Sequence, residues 1–342
     1  MTDKRNSLTA YLSQAYLFPL FTQETVPPVR QHAPRWPVME ELNCTAKETR
    51  ELREVTEMPL LAVENAVRTY FIGFEEKLKT EWPNPNLALP CPETKVLGNP
   101  ALRRLLVNKE HDFLDALQYF MLKTAAEAVR TIEKQPFDED ELTFIRLRAQ
   151  GAVTSRKICT LWIFGSPVGL PRVVTQGVVV LSLPPWEFGS GDFQQFARAR
   201  KQFARGDLDR EAPEGPKWSN ADKLWALTYD TCKTFGYKWF VVTTYNHWVF
   251  GTWSPEWTAA EVTPVLPFDK TRCVTLVELL VFWTQSGRGR VRYWQTAAVR
   301  PHWHAHICRS LTQALTPYTI FRMFAVDASP SLLLIQTLYC TV

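Results

Sequence analysis

Three groups of residues in this sequence have types and spacings that could do chemistry. His302, His304 and His306 alternate in PHWHAHIC and are followed by Cys308, which gathers three of the chain's six histidines in one run. On a strand, that alternation would turn all four side chains to one face and offer a zinc or copper set. On a helix, only His302 and His306 share a face, Pro301 suits a first helical position, and Trp303, Ile307 and Leu311 form the apolar stripe. The following SLTQAL continues a helix, so the expected state of the run is a solvated helical face, with metal binding as the alternative. The second group is Arg288, Arg290 and Arg292 with Tyr293 and Trp294. Guanidinium groups grip phosphate bidentately and aromatic rings stack on bases, which makes this run the nucleic-acid candidate. A solvated basic loop is its plainer reading. Arg198, Arg200, Lys201 and Arg205 would extend it if the fold brought them close. The third group is Asp138, Glu139, Asp140 and Glu141, which resembles a metal cluster but also suits the first turn of a helix, where the dipole favours acids.

What is missing narrows the chemistry further. Between Leu142 and Trp186 there is not one Asp or Glu, whereas Arg146, Arg148, Arg156, Lys157 and Arg172 all fall there. FGSPVG around Ser166 is not a G-x-S-x-G elbow, and the chain has no phosphate-binding glycine loop of the P-loop or dinucleotide kind. Seven cysteines are scattered without a C-x-x-C pair, which argues against a zinc ribbon or redox pair and for buried thiols in a reducing compartment.

The elements that must position these groups follow from periodicity and breakers. The first hundred residues read as helices between proline-rich connections such as PPVRQHAPRWP, because proline removes a donor and restricts its predecessor. Helices are expected over Thr45–Glu57, Leu61–Lys79 and Asp112–Lys134, the last with Leu117, Phe120, Met121, Val129 and Ile132 on one face. A further helix is expected from Asp138. Strands then follow at Ile158–Phe164 and Val173–Leu183, both rich in β-branched residues. A helix is expected over Asp192–Arg205 and another over Ser219–Phe235, where Ser219 and Asp222 have capping-box spacing. Two aromatic strands, Lys238–Thr244 and Asn246–Trp253, are separated by one residue and predict a hairpin. The tryptophans of this region, Trp239, Trp248, Trp253 and Trp257, are expected in the core. A helix over Val274–Gln285 precedes the basic loop.

Composition sets the outer limits. The 342 residues are 46% hydrophobic and 22% charged, ordinary values for a globular protein, and thirteen tryptophans and twenty phenylalanines supply a sizeable core. A net charge of +4 is too small to imply nucleic acid or an acidic membrane by itself. Apolar stretches such as VELLVFW, ending at Trp283, are far shorter than the roughly 20 residues a membrane span needs. The N-terminus lacks the apolar run and cleavage site of a signal peptide. The expected location is cytoplasmic or nuclear.

Strands interleaved with helices predict an α/β (α+β) class, with a mixed central sheet flanked by helices. The segment from about 158 to 285, carried by VVVLSLPPWEFGSGDFQQFA (178–197), LWALTYDTCKTFGYKWFVVTTYNHWVFG (224–251) and VLPFDKTRCVTLVELLVFW (265–283), resembles a group of fungal proteins. Their core looks like the PD-(D/E)XK nuclease fold, and related domains precede the kinase in fungal-type protein kinases. No kinase motif is present here. The resemblance implies three regions: a helical, proline-interrupted segment at 1–110, a nuclease-like core at 111–295, and a mixed tail at 296–342. A nuclease of this kind uses an Asp and the Glu of a Glu-x-Lys motif to hold a divalent cation, since hard cations need oxygen ligands. Laid on this chain, the Glu-x-Lys positions fall near Leu181, Ser182 and Leu183. The expectation is therefore a degenerate, non-catalytic domain that binds a protein or nucleic acid, without a cofactor and without a membrane. An active enzyme would need a displaced carboxylate, for which Glu141 and Glu187 are the fallbacks. A metal-binding role through the histidine run is the remaining alternative.

Overall fold

The computed structural model describes residues 8–17, 20–22, 50–75, 89, 105–107, 110–133, 143–147, 160–165, 177–185, 188–198, 200–201, 219–270 and 273–291. Val178–Ser182 (VVVLS) and Trp239–Thr243 (WFVVT) are buried along their whole length, as runs of β-branched and aromatic residues must be when both faces of a sheet are covered. They form strands β6 and β8 and pair in parallel, with Val178 opposite Trp239 and Ser182 opposite Thr243. A parallel pair needs a crossover, and helices α5 (Ser190–Ala197) and α6 (Asn220–Phe235) lie in that connection.

Six more strands extend the sheet. On one side of β6 are β5 (Thr160–Gly165) and then β4 (Thr143–Leu147), both antiparallel to their neighbours. Beyond β8 come β9 (His247–Trp253), β10 (Ala259–Val262), β2 (Glu54–Glu57) and β7 (Arg200–Lys201). The order is β4-β5-β6-β8-β9-β10-β2-β7, with the short β11 (Leu266–Pro267) pairing beside β9. A separate parallel pair joins β1 (Leu20–Thr22) to β3 (Leu105–Val107).

Alternation along each strand splits the core into two layers. Trp162, Phe164, Val178, Val180, Trp239, Val241, Trp248 and Phe250 face one side. That side is covered by α1 (Leu8–Gln14), α2 (Leu60–Glu75), the helix running from Glu110 to Glu133, and α7 (Leu276–Gly287). Leu161, Ile163, Val179, Leu181, Phe240, Val242 and Trp253 face the other, beneath α5 and α6. The molecule is thus a mixed α/β sheet with helices on both faces, as expected. Among the described residues, no helix is long and apolar enough to cross a membrane.

The helix from Glu110 to Glu133 is not uniform. It runs as α3 (Glu110–Ala116), a π-helical stretch over Leu117–Leu122, then α4 (Lys123–Glu133). Helices α6 and α7 start with reciprocal caps. The Ser219 hydroxyl accepts from the Asp222 amide while the Asp222 carboxylate accepts from Ser219, and Thr275 and Glu278 repeat the pattern. Thr275 also donates to the Leu12 carbonyl at 2.7 Å, fastening α1 to the start of α7.

Several expectations are corrected. Glu54–Glu57, placed in a helix by its charge content, is strand β2. Val55 is fully buried, and the segment pairs in parallel with β10, so sheet pairing overrides local preference. Thr143–Leu147 is strand β4 rather than part of a helix from Asp138. Its backbone pairs antiparallel with β5, from Thr143 opposite Gly165 to Leu147 opposite Leu161, so sheet pairing decides its conformation. The helix expected over Asp192–Arg205 stops at Ala197, and Arg200–Lys201 pairs with β2 instead. Of the hairpin tryptophans, Trp239, Trp248 and Trp253 are buried as expected, and Trp257 is partly exposed. Of two described cysteines, Cys232 is buried and Cys273 exposed.

Candidate functional site

The position at which a nuclease-like core would carry its acids is occupied by packed side chains. Leu181 and Leu183 are 0% and 1% exposed. A shift of one residue exchanges the face but not the chemistry. Val180 and Ser182 are equally buried, and across the strand pair Val180 meets Trp162 and Ser182 meets Thr160. The Trp162 indole N–H donates to the Ser182 hydroxyl at 3.2 Å. Leu161, Trp162, Ile163 and Phe164 on β5 add no ligand. Among the described residues, no group of three or more His, Cys, Asp or Glu side chains could hold a metal ion.

A cleft lies on the Trp162 side of the sheet, between the π-helical stretch and edge strand β4. Its volume is about 490 Å³, and Asp115, Tyr119, Lys123, Glu127, Arg130 and Phe144 contribute to its walls. Tyr119 is 53% exposed. The π-helical stretch puts an extra residue into the turn, a device concentrated at functional sites. In this helix it sets Asp115, Tyr119, Lys123 and Glu127 along one stripe facing the cleft. Glu127 and Arg130 are both buried and pair at 3.4 Å.

Phe144 links the cleft to a row of arginines. Its ring packs edge-on against Phe164 at 4.9 Å, and the Arg288 guanidinium lies 5.7 Å from the centroid of Phe164. Two residues along the same faces, Arg146 lies 5.9 Å from the ring of Trp162. Arg288 forms a two-pronged pair with Glu133, both bonds at 2.9 Å. Arg290 reaches the same carboxylate at 4.0 Å while remaining 63% exposed. Local backbone explains why two arginines converge. Helix α7 ends with the amides of Gly289 and Arg290 bonded back to Ser286 and Gln285, and Gly289 at φ 69 makes the reversal that a side chain would strain.

The arrangement separates the residues singled out in the sequence. Arg288 and Arg290 both reach Glu133, the first at 2.9 Å and the second at 4.0 Å. Arg200 and Lys201 do not join them: they lie on β7, at the opposite edge of the sheet from β4. Arg292, Tyr293, Trp294, the fallback acids Glu141 and Glu187, and His302, His304 and His306 lie outside the described residues. Arg146, Trp162 and Glu133 were missed. The legible signal for Arg146 was its place in the acid-free run, two residues after Phe144 in a strand-like alternation.

Other titratable groups are tuned by burial. The Cys232 thiol, beside Trp253, is pushed up to about 12 by desolvation, so it is poorly suited as a nucleophile. Burial lowers His247, whose ring packs near Phe193 at 5.7 Å. Burial raises Glu278 despite its bonds to Thr275 and the charge of Arg68. No family model, no curated protein and no solved structure matches this chain.

Proposed function

We propose that this chain is a non-catalytic, nuclease-like domain that acts as a binding or scaffold module for nucleic acid or another protein. The observation that carries the proposal is the packing of β5 and β6. Leu161–Phe164 of β5 and 178–181 of β6 are buried apolar residues on both faces, and the polar Ser182 is taken up by its bond from Trp162. A divalent ion brings a charge that hydrocarbon cannot solvate, and nothing at Leu181 or Leu183 compensates for it. The nuclease-like part of the reading draws support from connectivity. A long helix leads into the antiparallel meander β4-β5-β6, two helices follow, and β8 returns parallel to β6.

The test is a cleavage assay on DNA and RNA with magnesium or manganese. The expected result is no metal-dependent cleavage by the full chain. Cleavage that disappears in Glu141→Ala or Glu187→Ala would replace this reading with an active nuclease. Stoichiometric zinc in the purified protein, lost in His304→Ala, would replace it with metal binding through the histidine run.

A further inference from the structure

The geometry points to a phosphodiester-binding surface formed by Arg146, Arg288 and Arg290, with the Glu133 carboxylate occupying it in place of phosphate. The inference rests on the binding-module reading and gives that module a site and a ligand. Arg146 and Arg288 lie over consecutive same-face rings of β5, Trp162 and Phe164. Stacking on a ring restrains a guanidinium while leaving its N–H donors directed outward at the edge, so less freedom is lost when an anion arrives. Arg290 stands beside them and is 63% exposed.

Charge decides the ligand's sign. Arg288 and Arg290 converge here on one carboxylate, Arg146 stands over the neighbouring ring of β5, and neither β4, β5, β6 nor the segments joining them can add another acid, because residues 142–186 contain none. Glu127, on the preceding turns of α4, is engaged with Arg130. Among the described residues, the three arginines therefore outnumber the acids that face them. Glu133 shows what shape it accepts. A carboxylate held by both prongs of Arg288 has the fork geometry by which arginine also grips phosphate. Glu133 thus acts as an internal competitor. A backbone of repeated phosphates would engage the exposed Arg146 and Arg290 first and draw Arg288 away from Glu133.

This surface differs from the basic run read in the sequence, because it takes in Arg146 on edge strand β4, far from Arg288 in sequence. A small multivalent contact of this kind gives sequence-independent, salt-sensitive binding.

The experiment measures anisotropy of a fluorescein-labelled oligo(dT) against the full chain over a salt series. Wild type should bind with affinity falling as salt rises. Arg146→Ala and Arg290→Ala, both at exposed positions, should each weaken binding and reduce the log–log salt slope by about 1. Glu133→Gln should tighten binding roughly three- to tenfold and steepen the slope, since one competing charge is removed. Thermal melting of each variant separates loss of the surface from loss of the fold. Salt-independent binding, no binding in either wild type or Glu133→Gln, or unchanged slopes in both arginine variants would overturn the inference. So would competition by polyglutamate equal to that by unlabelled oligo(dT), which would assign the surface to an acidic protein. The cleavage assay fails or succeeds independently, so loss of the binding site and loss of the non-catalytic reading give different results.

Discussion

The indole of Trp162 donates to the hydroxyl of Ser182 across the β5–β6 pair, inside a layer where neither residue is exposed. A buried indole N–H needs an acceptor, so the two residues are matched as a pair. Ser182→Ala removes the acceptor and leaves the donor in apolar surroundings. The expected cost is about 1–3 kcal/mol, the desolvation of an orphaned group rather than the smaller net value of one bond. Urea denaturation would show a lower midpoint with unchanged slope; an unchanged midpoint would mean that water or another group satisfies Trp162.

Introducing the Glu-x-Lys motif of the proposed nuclease-like core should destroy the fold rather than create an enzyme. In Leu181→Glu/Leu183→Lys, both new side chains enter positions that are 0% and 1% exposed, beneath the α5–α6 layer. Ionised groups there meet no water, and the cost is several kcal/mol each after relaxation. Calorimetry should find the cooperative transition lost or strongly lowered, with no magnesium-dependent cleavage. A folded, active double variant would show that the site was latent rather than erased.

How much of this was legible can be argued from particular residues. The hairpin was readable because Trp239–Thr243 and His247–Trp253 are dense in β-branched and aromatic residues around a short turn. The cap of α6 was read from the Ser219–Asp222 spacing, whereas the T-x-x-E box of Thr275 and Glu278 at the start of α7 went unread. Strand β2 was illegible because Glu54 and Glu57 flank one buried valine. Its identity depends on β10, some two hundred residues away. The candidate surface was half legible. Arg288 and Arg290 announce themselves by composition, but Glu133 and Arg146 join them only through the packing of α4 and β4 on β5. The π-helical stretch leaves no mark in the periodicity, because its surroundings read as continuous helix.

Lys238 offers a test of electrostatics away from that surface. Its ammonium lies 3.2 Å from the centroid of Trp257 and donates to the Pro255 carbonyl at 2.8 Å. The ring face and Glu256 favour the charge, while burial, the largest influence, and Lys233 oppose it, and the lysine is held down to about 8. The folded value lies below the 10.5 of a free lysine, so folding favours the neutral amine. The associated stability is full above 10.5 and is lost as the pH falls through 8. Denaturation of wild type should therefore gain on Lys238→Met as pH rises between those values. A constant difference would place the ammonium in ordinary solvent.

Arg50 and Asp230 provide the sharpest stability prediction. Arg50 is 1% exposed, and its Nε donates to one carboxylate oxygen of Asp230 at 2.8 Å while a terminal nitrogen donates to the other at 2.5 Å. The pair joins the segment leading into β2 to α6, and the Glu51 amide adds a bond to the Tyr229 hydroxyl at 3.1 Å. Asp230 retains 30% exposure, so solvent already supports one partner but not the other. Removing the exposed partner should consequently cost more than removing the buried one and filling its space. Asp230→Ala takes both of these bonds from a buried guanidinium that cannot discharge by deprotonation, at about 3 kcal/mol. Arg50→Met removes the charge along with its need for a partner and frees Asp230 to hydrate, so it should cost clearly less. Urea midpoints of the two single variants and the double variant close the cycle. Equal costs for the two singles would show that the bridge contributes through its contacts alone, with no penalty from a buried charge that has lost its carboxylate.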